Sequence, residues 1–192
     1  MSKPPTNQTP PASPAERLRR MSRWMRALIA AGAVTLVLVP GMFWTAEPEV
    51  LQKAAANLMP ATAQPSRFTI TPEVQHWAML VVAVSVAPGL YALLQVWHLF
   101  GAYGRGIVFG PEASKRLRRL AWALMATALV RPLTKTVVVV LLTLNNPPGQ
   151  RQLIISLSWE DYLSLLFGGL LFAMSWAMAE ARRIEQENAG FV

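Results

Sequence analysis

Four long apolar runs leave this chain few ways to fold. They cover about residues 24–45, 76–100, 120–144 and 160–180. Each reaches the roughly 20 apolar residues a helix needs to cross the hydrocarbon core of a bilayer. A soluble domain of 192 residues buries an adequate core with less than the 53% hydrophobic content found here. The apolar residues are also gathered into the runs instead of being spread along the chain. The expectation is an all-α membrane protein, a four-transmembrane-helix bundle built as two helical hairpins.

The third run carries the most unusual residues. The basic segment GAYGRGIVFGPEASKRLRR leads directly into LAWALMATALVRPLTKTVVVVLLTL, with Arg131, Pro132 and Lys135 in its middle. An arginine at the centre of a span costs roughly 2.5–3.5 kcal/mol on insertion scales. Counted from Leu120 or Leu144, Arg131 lies roughly 16–20 Å from either end at the helical rise, too deep to snorkel comfortably from both. Lys135 is one turn further out on the same face, with Glu73, Glu160 and Asp161 as its expected carboxylate partners. Pro132 frees a carbonyl one turn earlier, which offers Arg131 a local acceptor. Tyr91 on the antiparallel neighbour is expected at the same depth. Arg131 is therefore expected to face the bundle interior and meet Tyr91, freed carbonyls or water. Two uses remain open for it: a buried polar clamp, or a site for an anionic ligand or lipid head group.

The second run holds Pro88-Gly89, a predicted kink. Tyr91, Gln95 and His98 recur at helical spacing as one polar stripe. Such a stripe faces other helices, either as packing contacts or as a ligand-lining surface. Arg131, Lys135, Tyr91 and Gln95 together form the candidate intramembrane polar site. In the fourth run, Gly168-Gly169, Ser164 and Ser175 permit close helix packing.

The flanks are read from local chemistry. Met1–Ala15 is rich in Pro, Ser and Thr and is expected to be disordered. The domain organisation is a disordered cytoplasmic tail over residues 1–20 and a single membrane domain over 21–192. A basic segment before an apolar run fits a signal peptide, but this run is too long for an h-region and no small-x-small cleavage site follows. An uncleaved first span is expected, with Trp24 and Trp44 as interfacial anchors. EPEVLQKAAANLM places Val50, Leu51, Ala54, Ala55 and Leu58 at helical spacing. That describes a short amphipathic helix on the membrane surface, or else an unstructured loop. Thr71-Pro72-Glu73 reads as a helix start, and Ser158-Trp159-Glu160-Asp161 as a capping box. SRFTI and QLIISLS precede these two starts and are able to pair in a small two-stranded extracytoplasmic ribbon.

Charge sets the topology. The net charge is +8 and the pI about 10.8. The basic residues flank apolar runs instead of clustering with aromatics on a groove, so direct nucleic-acid binding is not expected. With both termini inside, the inner segments hold Lys3, the arginines of 17–26, Arg105, Lys115, Arg116, Arg118, Arg119, Arg182 and Arg183. The outer loops hold only Lys53, Arg67 and Arg151. This asymmetry predicts cytoplasmic termini.

Catalytic signals are missing from the sequence. There is no cysteine, so thiolate chemistry and Cys-based metal sites are excluded. His76 and His98 lie at opposite ends of one span. No HExxH, P-loop or GxSxG occurs. Tyr103-Gly104-Arg105-Gly106 follows no strand and is a poor phosphate loop. Glu160 and Asp161 are adjacent and face different directions on a helix, so capping explains them better than paired acid–base work. No catalytic residue, cofactor or metal is expected.

From the second span onward the pattern resembles a family of four-span bacterial inner-membrane proteins known only as a domain of unknown function. The resemblance rests on Leu99-Phe100, the stretch Tyr103-Gly104-Arg105-Gly106-Ile107-Val108-Phe109, and Arg116-Leu117-Arg118-Arg119-Leu120. The closing Glu180-Ala181-Arg182-Arg183-Ile184, with Glu187-Asn188 and Phe191-Val192, also fits. It covers roughly residues 77–192. It implies a neighbouring gene for a small Cro-like helix-turn-helix regulator, and so a role in membrane-linked control of transcription. It brings no catalytic residues.

Two functions are weighed. The first is a regulatory or sequestering membrane protein, not an enzyme, whose inner face holds a cytoplasmic partner such as a DNA-binding regulator. Arg105, Lys115, Arg116, Arg118 and Arg119 are the candidate partner surface, unless these charges only set topology. The second is a small transporter or permease subunit, supported by the midplane polar residues and the prolines. Four spans make a pore only as a homo-oligomer, and no intramembrane acid is expected for ion coupling. Membrane lipids are partners in either case.

Overall fold

The computed structural model describes residues 14–57, 70–105 and 111–189. Five helices occur there: α1 (Pro14–Trp44), α2 (Pro48–Ala56), α3 (Pro72–Tyr103), α4 (Pro111–Thr143) and α5 (Trp159–Ala189). All but α2 contain an apolar stretch long enough to cross a membrane: Arg19–Met42, Pro72–Tyr103, Glu112–Thr143 and Trp159–Glu187. The molecule is a multi-pass helical membrane protein. At 1.5 Å per residue, each long helix measures about 45–50 Å. A hydrocarbon core of about 30 Å leaves one or both ends of each helix standing outside it.

Local chemistry accounts for the helix starts. Thr71 has extended backbone, its side chain accepts the Val74 N–H at 3.4 Å, and Pro72 occupies the first helical position. Proline is tolerated there because that N–H has no intrahelical partner. Pro111 opens α4 in the same way. α1 begins at Pro14, so residues 14–20 are helical, where the domain boundary expected a disordered tail; residues 1–13 lie outside the described residues. α2 is a helix, as its apolar spacing predicts, with Leu51 buried and Val50 exposed.

The long helices pack in chain order, α1 on α3, α3 on α4 and α4 on α5. Two apolar clusters set the α3–α4 register. Val74 and Ala78 meet Val138, Val139 and Leu142 at one end. Ala92 meets Leu120 and Ala123 nearer the other, with Leu171 of α5 against them. Glycine allows the closest approach on the α4–α5 side. A Cβ at Gly168 would lie 2.7 Å from Met125 Cγ and 3.1 Å from the Ala121 carbonyl oxygen. Gly169 faces open space, so only one glycine of the pair is needed for packing. α1 is held to α3 by Ser22, whose hydroxyl donates to the Phe100 carbonyl, and by Arg26 stacked over the Trp97 ring at 4.1 Å.

The expected two-stranded ribbon lies outside the described residues, since of SRFTI only Ile70 is described. Gln152–Ser158 is outside any helix or strand and runs along α4. The Gln152 N–H donates to Thr143 Oγ1 at 3.2 Å, and Thr136 Oγ1 donates to the Ile154 carbonyl at 3.0 Å. Hydroxyls on one helix face thus satisfy backbone groups that a partner strand would otherwise satisfy. The segment's side chains alternate: Leu153, Ile155 and Leu157 point outward while Ile154 packs on the core.

Candidate functional site

The extended segment determines where α5 begins. Thr143 holds Gln152, and further along α4 Lys135 Nζ donates to Ser158 Oγ at 3.3 Å. The segment therefore descends antiparallel to α4, and α5 starts at the depth of Lys135, well inside the apolar stretch of α4. Irregular backbone at such depth is tolerated where protein groups satisfy it.

Ser158 caps α5. Its backbone N–H donates to Asp161 Oδ2 at 3.0 Å and its hydroxyl donates to the same oxygen at 2.6 Å. This is the reciprocal half of a capping box, with an aspartate as the returning acid. The same carboxylate faces α4. Asp161 Oδ1 lies 3.6 Å from Arg131 Nε, and Oδ2 lies 3.8 Å from Lys135 Nζ. The Asp161 side chain is 2% exposed, and its Oδ1 accepts no hydrogen bond among the described residues. Both contacts are thus charge contacts at longer than hydrogen-bond range. One buried carboxylate serves two cations, a helix cap and an interhelical seam.

The polar site predicted from the sequence is split by this arrangement. Arg131 and Lys135 are brought together through Asp161. Tyr91 does not join them: it is 44% exposed and makes no hydrogen bond among the described residues. The reason is register. Ala92 seats against Leu120 and Ala123, eight residues from Arg131 along α4, about 12 Å at the helical rise. The polar stripe of α3 is split as well. Gln95 is buried and its Oε1 has no hydrogen-bond partner among the described residues, whereas His98 is exposed and bonds the Leu94 carbonyl of its own helix at 2.8 Å. Thr136 Oγ1 lies 2.9 Å from the Pro132 carbonyl and 3.0 Å from the Ile154 carbonyl, so its one proton is shared between them.

Asp161 as the partner of Arg131 is the residue that sequence reasoning missed. The signal was an acid one turn into an apolar run, assigned only to capping and to Lys135. Its reach to Arg131 depends on how deeply the preceding segment descends, which periodicity does not encode.

The second cluster lies at the opposite end of the helices. There the start of α4 meets the closing turns of α5, and Ser114 Oγ donates to the Ser175 carbonyl at 3.0 Å. Lys115 and Arg118 of α4 line one groove with Arg182 and Arg183 of α5. Lys115 pairs with Glu112 at 3.6 Å, and Arg183 pairs with Glu180 at 2.9 Å and Glu187 at 3.5 Å. Arg105, Arg116, Arg118 and Arg119 form no ion pair among the described residues. Residues 106–110, which include the last glycine of the Tyr103-Gly104-Arg105-Gly106 turn, lie outside the described residues.

Residues 51–190 match the model of a family described as "Protein of unknown function (DUF2975)". No curated protein and no solved structure matches the chain.

Proposed function

The chain belongs to this family of unknown function, and on that premise we propose that it is a membrane-linked regulatory or sequestering protein whose basic end holds a soluble cytoplasmic partner. One observation supports this above the others. Lys115 and Arg118 of α4 and Arg182 and Arg183 of α5 gather along one groove where the start of α4 meets the closing turns of α5. Arg116, Arg118 and Arg119 at this end have no acidic partner among the described residues. An unpaired cationic surface attracts an acidic protein surface and speeds its docking. A helix-turn-helix regulator with an acidic patch is the partner that the resemblance brings forward. The basic end faces the cytoplasm of a bacterial inner membrane, since positive charge accumulates on that side. No catalytic step belongs to this proposal.

The test replaces Arg116, Arg118 and Arg119 with glutamine, which removes charge without adding acid that would invert the topology. Wild type and variant are tagged, cross-linked in cells and purified. A partner lost from the variant, and released from wild type by raised salt, supports docking on this surface. Recovery of the same proteins with both chains overturns it.

A second reading, a small transporter or permease subunit acting as an oligomer, is favoured by a different observation. The fourth crossing is interrupted at Ser158, beside the charges of Arg131, Lys135 and Asp161. Broken spans with charged residues at the break are a recurrent design of transport sites.

A further inference from the structure

A cavity of about 550 Å³ lies among α1, α3 and α4, with α2 across it. Its walls are almost wholly apolar and include Pro40 of α1, Leu51 of α2, Val82 of α3 and Leu142 of α4. One charged residue lines it, Arg131, with Gln75 as a further polar group. Pockets that hold small ligands have this size and makeup, apolar walls with a few polar groups that orient the ligand.

The one cation in the lining points to the ligand class. Asp161 approaches Arg131 through Nε and is shared with Lys135, and the exposed Glu160 lies within electrostatic reach of both cations. The Arg131 side chain is 40% exposed. Its remaining guanidinium donors make no hydrogen bond among the described residues, and guanidinium favours planar two-oxygen acceptors such as carboxylate. Among apolar walls a positive charge is strongly felt, because little solvent screens it. Apolar walls and one lining cation fit a lipophilic anion better than a neutral lipid tail or a polar solute.

We propose that this cavity binds a lipophilic carboxylate, its anionic group on Arg131 and its alkyl body along the walls below α2. The probe is radiolabelled dodecanoate, with dodecanol as the uncharged compound of the same chain length. The full chain is placed in nanodiscs of zwitterionic phosphatidylcholine at pH 8, where the carboxylate is ionised, and binding to empty discs is subtracted. The expected result is saturable binding of dodecanoate, at least about tenfold tighter than dodecanol, a difference of about 1.4 kcal/mol. Arg131→Gln should bring dodecanoate down to the level of dodecanol. Ala54→Trp, on the short helix α2, should fill the cavity and abolish binding of both, with Arg131 untouched.

Equal binding of the two compounds to wild type overturns the proposal and leaves a cavity filled by lipid tails. So does partitioning no greater than in empty discs, or a preference for dodecanoate that survives Arg131→Gln. Should Arg131→Gln fail to fold, Ala54→Trp decides alone: saturable dodecanoate binding that persists in it lies elsewhere and refutes the assignment.

Discussion

Asp161 Oδ1 lies 3.6 Å from Arg131 Nε, joining the first turn of α5 to the middle of α4. The carboxylate is buried and the guanidinium is only partly so. Asp161 also caps its own helix through Ser158 and faces Lys135. Removing Asp161 therefore leaves two cations without their buried carboxylate, whereas removing one cation leaves that carboxylate with the other.

Asp161→Asn is accordingly expected to destabilise the protein more than Arg131→Leu does. Allowing for the exposure of Arg131, the loss for Asp161→Asn is about 1–3 kcal/mol. Thermal unfolding in detergent, followed by tryptophan fluorescence, measures both. A larger loss for Arg131→Leu would show that Asp161 is not the residue that holds the cluster together.

Gly168→Ala is expected to push α5 off α4, because the new methyl would meet the Ala121 carbonyl as well as a flexible methionine. Overpacking of this kind costs about 1–3 kcal/mol. Gly169→Ala meets nothing within 4 Å and should be neutral or slightly stabilising. Equal melting temperatures for the two variants would contradict the close approach at Gly168.

Thr143→Val removes the hydroxyl that accepts the Gln152 N–H and leaves that donor without its partner. An unsatisfied buried donor costs about 1–3 kcal/mol. Thr143→Ser keeps the hydroxyl and should cost less. Limited proteolysis between α4 and α5 is the readout, with faster cleavage expected for valine only. Cleavage at the same rate in all three proteins would mean that the descending segment is not held by Thr143.

The absence of native cysteine makes topology directly measurable. Single cysteines at the exposed positions Glu112, Gln150 and Glu185 are reacted in intact cells with an impermeant thiol reagent. Labelling at 150 and protection at 112 and 185 is expected with the basic end inside. The opposite pattern would reverse the orientation and remove the docking proposal with it.

The number of spans, the helix starts at Thr71-Pro72 and Ser158, the cap made by Asp161 and the collection of positive charge at one end were all legible in the sequence. These are local properties, set by hydropathy over some twenty residues, by the missing N–H of proline and by side chains that reach three residues along the chain. The tertiary structure alone decided that Arg131 meets Asp161 and not Tyr91, that Gly168 is a contact and Gly169 is not, and that Gln152–Ser158 lies on threonines of α4. Each depends on how far one helix slides along its neighbour. That offset is set by which small side chains interlock, such as Ala92 with Leu120 and Ala123, and many offsets are compatible with the same apolar pattern. Depth in the membrane follows from the offset, and depth is what brings a charge on one helix level with its partner on the next.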